Sequence, residues 1–184
     1  MNETAGRLRF AYADPPYLGC GRNHYAAYHA DAGHFDEVAS HAALLNRLRD
    51  EFPDGWVVSL HTPSLETYLH MARIIFGQDV VRVGAWVKPF ASFKPNVNPG
   101  YAWEPILFAG GRKLGREAAT VRDYHSAPTT LRRGLTGAKP ESFANWVFDL
   151  LGMEPADEFH DLFPGSGAVS RAWEKWRNQG RLIT

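Results

Sequence analysis

The spacing of apolar positions changes several times along the chain. Residues 7–13, RLRFAYA, alternate polar and apolar side chains and are rich in aromatic rings, which predicts a short strand running into Asp14. In residues 34–52, Val38, Ala42, Leu45, Leu48 and Phe52 recur at helical spacing until Pro53 and Gly55 end the pattern. A helix of about four turns fits there. WVVSL (56–60) is a compact apolar run suited to a strand covered on both faces. Beyond Ser64, a suitable N-cap, Leu65, Leu69, Ala72 and Phe76 face one way and Gly77 closes a second helix. VVRVGAWVKP and EPILFAGG predict two further strands joined by a loop rich in Pro, Asn and Gly. Residues 111–138 break the pattern and read as an irregular excursion. ESFANWVFDLLG then returns to helical period, with Phe143, Trp146, Val147 and Leu150 on one stripe and Gly152 as terminator. EFHDLF predicts a short strand, PGSG a tight turn and AVSRAWEKWRNQG a final helix.

Strand and helix in alternation predict an α/β sheet with both faces covered, a class that binds ligands beyond the carboxyl ends of its strands. At 184 residues with 45% hydrophobic content, one domain spanning 1–184 is expected. No run approaches the ~20 apolar residues of a membrane helix, and the polar start MNETAGRLRF lacks the apolar core of a secretory signal, so the expectation is a cytoplasmic protein without membrane association. A single cysteine, Cys20, excludes an intrachain disulfide and a cysteine-based zinc site. His24, His29 and His34 recur every five residues in a loop, a spacing that fits chance better than a metal site, and no metal is expected. Net charge is zero but unevenly spread. Residues 1–81 carry 6 Lys/Arg against 10 Asp/Glu, residues 82–139 carry 10 against 3, and residues 140–184 carry 4 against 7. A basic centre between acidic flanks points to a local surface for a polyanion.

Two short stretches carry chemistry. In DPPY (14–17), Pro15 and Pro16 fix their own φ and restrict the residue before each, so Asp14 and the Pro15 carbonyl are held in one geometry. Two rigid acceptors suit an exocyclic amino group, which has two hydrogens to donate. Tyr17 offers a face on which a planar base can stack. In DLFPGSGAV (161–169), a strand meets a glycine turn and a helix start; Gly165 and Gly167 let the backbone around Ser166 approach a ligand, and the helix N-terminus favours a negative group.

Together these stretches resemble the S-adenosylmethionine-dependent amino-methyltransferases of DNA, which methylate N6 of adenine or N4 of cytosine. The family's D-P-P-Y motif is matched at 14–17, and its D-x-F-x-G-x-G motif by Asp161, Phe163, Gly165 and Gly167. Its Lys-Pro step opening a helix before the cofactor strand is matched by Lys139 and Pro140, its W-x-K step by Trp86 and Lys88, and its Glu before an apolar strand by Glu104. The likeness covers roughly residues 10–170. With the catalytic motif first and the cofactor motif last, the order resembles the permuted β subclass, in which the strands carrying the two motifs would be adjacent central strands meeting at the switch point of the sheet.

The resemblance implies a Rossmann-like methyltransferase sheet with helices on both faces, circularly permuted and shortened at the C-terminus. It implies S-adenosylmethionine as cofactor, held by Asp161, Phe163, Gly165, Ser166, Gly167, Lys139 and Pro140, and DNA as substrate. Asp14, Pro15, Pro16 and Tyr17 would form the catalytic motif around a flipped-out base, and Trp86 and Lys88 would border its pocket. Residues 111–138 fall where the family places target recognition, with Arg112, Lys113, Arg116, Arg122, Arg132 and Arg133 as candidates for phosphate or base-edge contacts. DPPY favours adenine N6; cytosine N4 and RNA adenosine are the nearest rivals. One departure stands out: only GRLIT follows the last helix, where the family continues with two more strand–helix units, the first ending in an acidic residue that holds the ribose hydroxyls. Adenosine would then be held by apolar contacts, or a homodimer or partner subunit would complete the site, or the chain would be a catalytically silent, nucleic-acid-binding subunit.

Overall fold

The computed structural model describes residues 6–20, 32–92, 97–129 and 138–179. Six strands form one sheet: β1 (Arg9–Ala13), β2 (Gly55–Ser59), β3 (Arg82–Ser92), β4 (Tyr101–Gly110), β5 (Tyr124–Ser126) and β6 (Glu158–Asp161), in the spatial order β5-β3-β4-β2-β1-β6. β1 runs parallel to β2 and β6, β3 runs parallel to β5, and β4 is antiparallel to both β2 and β3. β1, β2, β3, β5 and β6 therefore point the same way and end at one edge of the sheet.

Each face is covered by two helices, as the alternating elements predict. α1 (Val38–Glu51) and α2 (Leu65–Phe76) bury Leu44, Leu45, Leu48, Tyr68 and Met71 against Ala11, Ala13, Trp56, Val58 and Leu107. α3 (Glu141–Leu150) and α4 (Ala168–Gln179) bury Phe143, Val147, Phe148, Val169 and Trp173 against Phe10, Tyr12, Val57 and Ile106. Successive strand residues thus serve opposite cores. Full burial of such side chains stabilises the sheet by about 1.5–3 kcal/mol each. EPILFAGG ends in glycine for a steric reason. Gly110 has φ +73, and a Cβ there would lie 2.6 Å from the Asp54 carbonyl oxygen.

Three expectations are corrected. Residues 111–138 are not wholly irregular, because β5 lies within them and pairs with Ala85–Val87. The first helix begins at Val38, preceded by a separate 3-10 turn over Ala32–Asp36. The DPPY and glycine-turn strands are neighbours, but β6 is the edge of the sheet among the described residues, not a central strand.

Candidate active site

β1 and β6 are in register at Tyr12 and Asp161, and Leu162 N–H donates to Tyr12 O at 2.9 Å. The two motifs accordingly leave the sheet side by side, at its carboxyl edge. Asp14 follows the last residue of β1, and Pro15, which lacks a donor N–H, cannot extend the ladder. Pro15 and Pro16 are buried, anchoring the turn that presents Tyr17.

Around Asp14 lies a compact array of charges. Lys139 Nζ is 3.2 Å from Asp14 Oδ2, 3.2 Å from Glu104 Oε2 and 3.2 Å from the Tyr17 hydroxyl, to which it donates. The Tyr17 hydroxyl in turn donates to Glu104 Oε2 at 3.0 Å, and Lys88 donates to Glu104 Oε1. The Lys139 side chain is 5% exposed, and its ammonium stands 5.2 Å above the Trp86 ring. Its position follows from Pro140, which is extended (φ −68, ψ 154) and opens α3. A residue before proline is kept out of the helical region, so Lys139 stays off the helix. Burial depresses the Lys139 ammonium, but Asp14 and Glu104 outweigh it and raise its pKa above the ordinary lysine range. Burial likewise pushes Glu104 up, yet Lys139 and Lys88 hold it at about 2. The Asp14 carboxyl is raised by burial, with Lys139 opposing and Glu104 reinforcing the rise.

The glycine turn faces this array from β6. Gly165 and Gly167 have φ +46 and +70, left-handed values that side chains disfavour. Asp161 Oδ2 accepts from Ser170 Oγ at 2.7 Å, while its buried Oδ1 has no partner among the described residues. Burial raises the Asp161 carboxyl, and the Ser170 bond opposes that. A cavity of about 320 Å³ opens beside the turn, lined by Lys139, Glu141, Ser166, Ala168, Arg171 and Lys175.

The predicted residues therefore divide. Asp14, Tyr17, Lys88, Glu104 and Lys139 converge, with the motif of Asp161, Phe163, Gly165, Ser166 and Gly167 on the adjoining strand end. Trp86 sits beneath them, 1% exposed, its indole N–H donating to Ala127 O at 2.9 Å. Arg112 is elsewhere. It follows Gly110, which pairs with Gly55 at the amino edge of the sheet, and its guanidinium binds the buried Asp157 carboxylate at 2.6 Å. Lys113 and Arg116 follow it and are exposed, and Arg122 donates to the Tyr124 hydroxyl at 3.0 Å. Arg132 and Arg133 lie outside the described residues, as do His24 and His29. Among the described residues no cluster of His, Cys, Asp or Glu is arranged to hold a metal ion, and no helix is long and apolar enough to cross a membrane.

Two contributors escaped sequence reasoning. His61, just past β2, lies parallel to Tyr17, with ring centroids 5.2 Å apart and planes 7° apart; its Nδ1 is 2.7 Å from Ser64 Oγ. Phe35 meets Phe163 edge-on at 5.2 Å, packing the 3-10 turn against the glycine-turn motif. A lone histidine after a strand and a lone phenylalanine in a loop have no spacing by which to be recognised.

No family model matches the chain, and no curated protein matches it by sequence. Among solved structures it is similar to the M1.HpyAVI–SAM complex, with a TM-score of 0.61 and 14% identity over 93% of this chain and 79% of that one. It is also similar to M1.HpyAVI solved separately, with a TM-score of 0.58 and 14% identity over 93% and 78% of the two chains. At this identity the likeness is one of fold, a Rossmann-like α/β sheet with helices on both faces.

Proposed function

We propose that the chain is an S-adenosylmethionine-dependent DNA methyltransferase that modifies N6 of adenine in a flipped-out base. The observation that carries this reading is the register of Tyr12 with Asp161, which sets Asp14 and the glycine turn at one edge of adjacent parallel strands. A structural neighbour solved with SAM bound adds support.

The residues present fit the cofactor. Asp161 Oδ1 is a buried acceptor with no partner among the described residues, and a cavity opens between Ser166 of the turn and the start of α3. Asp161, the Gly165–Ser166–Gly167 backbone and Phe163 would hold the cofactor there. When bound, it would supply a sulfonium methyl group for transfer to the amino nitrogen, with the sulfur leaving as a neutral thioether that keeps the bonding electron pair. Asp14 and the Pro15 carbonyl accept the amino hydrogens, turning the nitrogen lone pair away from the ring. Tyr17 stacks on the base, and the ionised Asp14 carboxylate receives the proton the nitrogen loses. Alignment and preorganised acceptors, each contributing several kcal/mol in roughly this kind of site, supply the rate.

The basic residues beyond the site are assigned by the same reading. Arg132 and Arg133, which follow β5 in the chain, would contact DNA phosphates, whereas Lys113, Arg116 and Arg122 precede β5, on the amino side of the sheet away from Asp14. Arg112 is tied to Asp157 and is excluded from that set.

A mass analysis of nucleosides from DNA incubated with the chain and S-adenosylmethionine tests the proposal. N6-methyladenine is expected, with a loss of at least about 100-fold in Asp14→Ala. Methylcytosine would move the assignment to N4. No methylated nucleoside, together with no heat on titrating the cofactor, would favour the silent nucleic-acid-binding subunit, a reading motivated by the absence of a described strand beyond β6 to hold the ribose.

A further inference from the structure

We infer that Lys139 is a positioning residue, holding the Asp14 carboxylate and the Tyr17 ring in the base pocket, and is not a cofactor ligand. The inference rests on the reading of Asp14 as the acceptor for the target amino group, and it departs from the cofactor role that the Lys-Pro resemblance implies.

The argument is one of valence. A lysine ammonium has three hydrogens to donate and no acceptor. Three oxygens lie at 3.2 Å from Lys139 Nζ: Asp14 Oδ2, Glu104 Oε2 and the Tyr17 hydroxyl. All three donors are thereby used within the protein. The side chain is 5% exposed, and the faces of Trp86 and Phe143 lie 5.2 and 5.9 Å from the ammonium. A cofactor atom could bind Lys139 only by displacing one of these partners.

The arrangement also explains why Glu104 and Lys88 belong to the site without touching the glycine turn. Two carboxylates, Asp14 and Glu104, face two ammonium groups, Lys139 and Lys88, and the array is neutral. Glu104 fixes Lys139 and Tyr17 together, and Lys88 fixes Glu104. Removing Lys139 would leave Asp14 in a partly buried site beside Glu104 without its own cationic partner, Lys88 being paired with Glu104, and both burial and the neighbouring carboxylate favour the protonated carboxyl. A protonated Asp14 has lost the charge that attracts an amino hydrogen.

The test is carbon-13 NMR of the Asp14 carboxyl across pH, on the full chain without cofactor or DNA, in the wild type, Lys139→Met and Lys139→Arg. The titration midpoint of Asp14 should rise by at least about one pH unit in Lys139→Met and return toward the wild-type value in Lys139→Arg. S-adenosylmethionine affinity, measured by calorimetry, should change less than about threefold in the same variant, while kcat falls about tenfold at neutral pH and recovers as pH rises. An unmoved Asp14 midpoint, or a cofactor affinity weakened tenfold or more, overturns the inference. Should Lys139→Met fail to fold, Glu104→Gln serves instead: it removes the competing carboxylate, so the Asp14 midpoint must fall, and no fall is equally fatal. Because the titration is read without ligands, it stands even if the chain proves to transfer no methyl group.

Discussion

His61 and Tyr17 lie face to face, 5.2 Å between ring centroids and 7° from parallel, although 44 positions apart in the chain. The imidazole is delivered by the segment after β2 and the phenol by the segment after β1, two parallel strands that end together. With its hydroxyl tied to Glu104 and Lys139, Tyr17 is held both at its rim and on one face.

Replacing His61 should therefore loosen Tyr17 without disturbing the sheet. An aromatic pair of this geometry contributes about 0.5–1.5 kcal/mol, and His61→Ala is expected to raise KM for DNA about two- to tenfold while leaving kcat nearly unchanged. Steady-state kinetics with His61→Phe, which restores a ring, check the assignment.

Arg112 gives the opposite expectation for a basic residue. Its partner Asp157 is 1% exposed and also accepts from the backbone N–H groups of Leu8 and Glu154, at 3.0 and 2.7 Å. Breaking such a buried pair costs about 3–5 kcal/mol, so Arg112→Met should lower the urea midpoint markedly. The salt dependence of DNA binding should not change, whereas loss of a phosphate contact would reduce its slope by about one.

Glu104 predicts a pH dependence of stability. Its carboxyl is held at about 2 in the folded chain, below its ordinary value, so it stabilises the fold above the ordinary value and ceases to do so as pH falls through about 2. Glu104→Gln should thus be less stable than the wild type at pH 7, by about 3 kcal/mol at most. The gap should close on acidification toward pH 2, as followed by thermal unfolding. A gap that widens in acid would contradict the charge array.

Most of the scaffold was legible because its strongest signals are periodic. The apolar run Trp56–Val57–Val58 in β2 and the stripe through Phe143 and Val147 announce burial through spacing alone, and both are buried. β5 was hidden because YHS is three residues long and pairs through its backbone, leaving no apolar pattern. Arg112 was grouped with the other basic residues because a charge block along the chain does not report which edge of the sheet each residue reaches. Lys139 was recognised as a motif residue, but its saturation by Asp14, Glu104 and Tyr17 depends on segments 35 to 125 positions apart. Such convergence leaves no local mark in sequence.

The position of β6 at the rim of the sheet formed by the described residues has a bearing on solubility. A rim strand with unsatisfied backbone groups is a template on which foreign chains can align and grow. EFHD makes a poor template: Glu158 and His160 project together from it, 2.6 Å apart, and Arg9 and Arg7 approach the same carboxylate within 3.7 and 3.9 Å. Any strand adding there would have to strip water from this cluster, so the charges act as gatekeepers against fibril-like stacking.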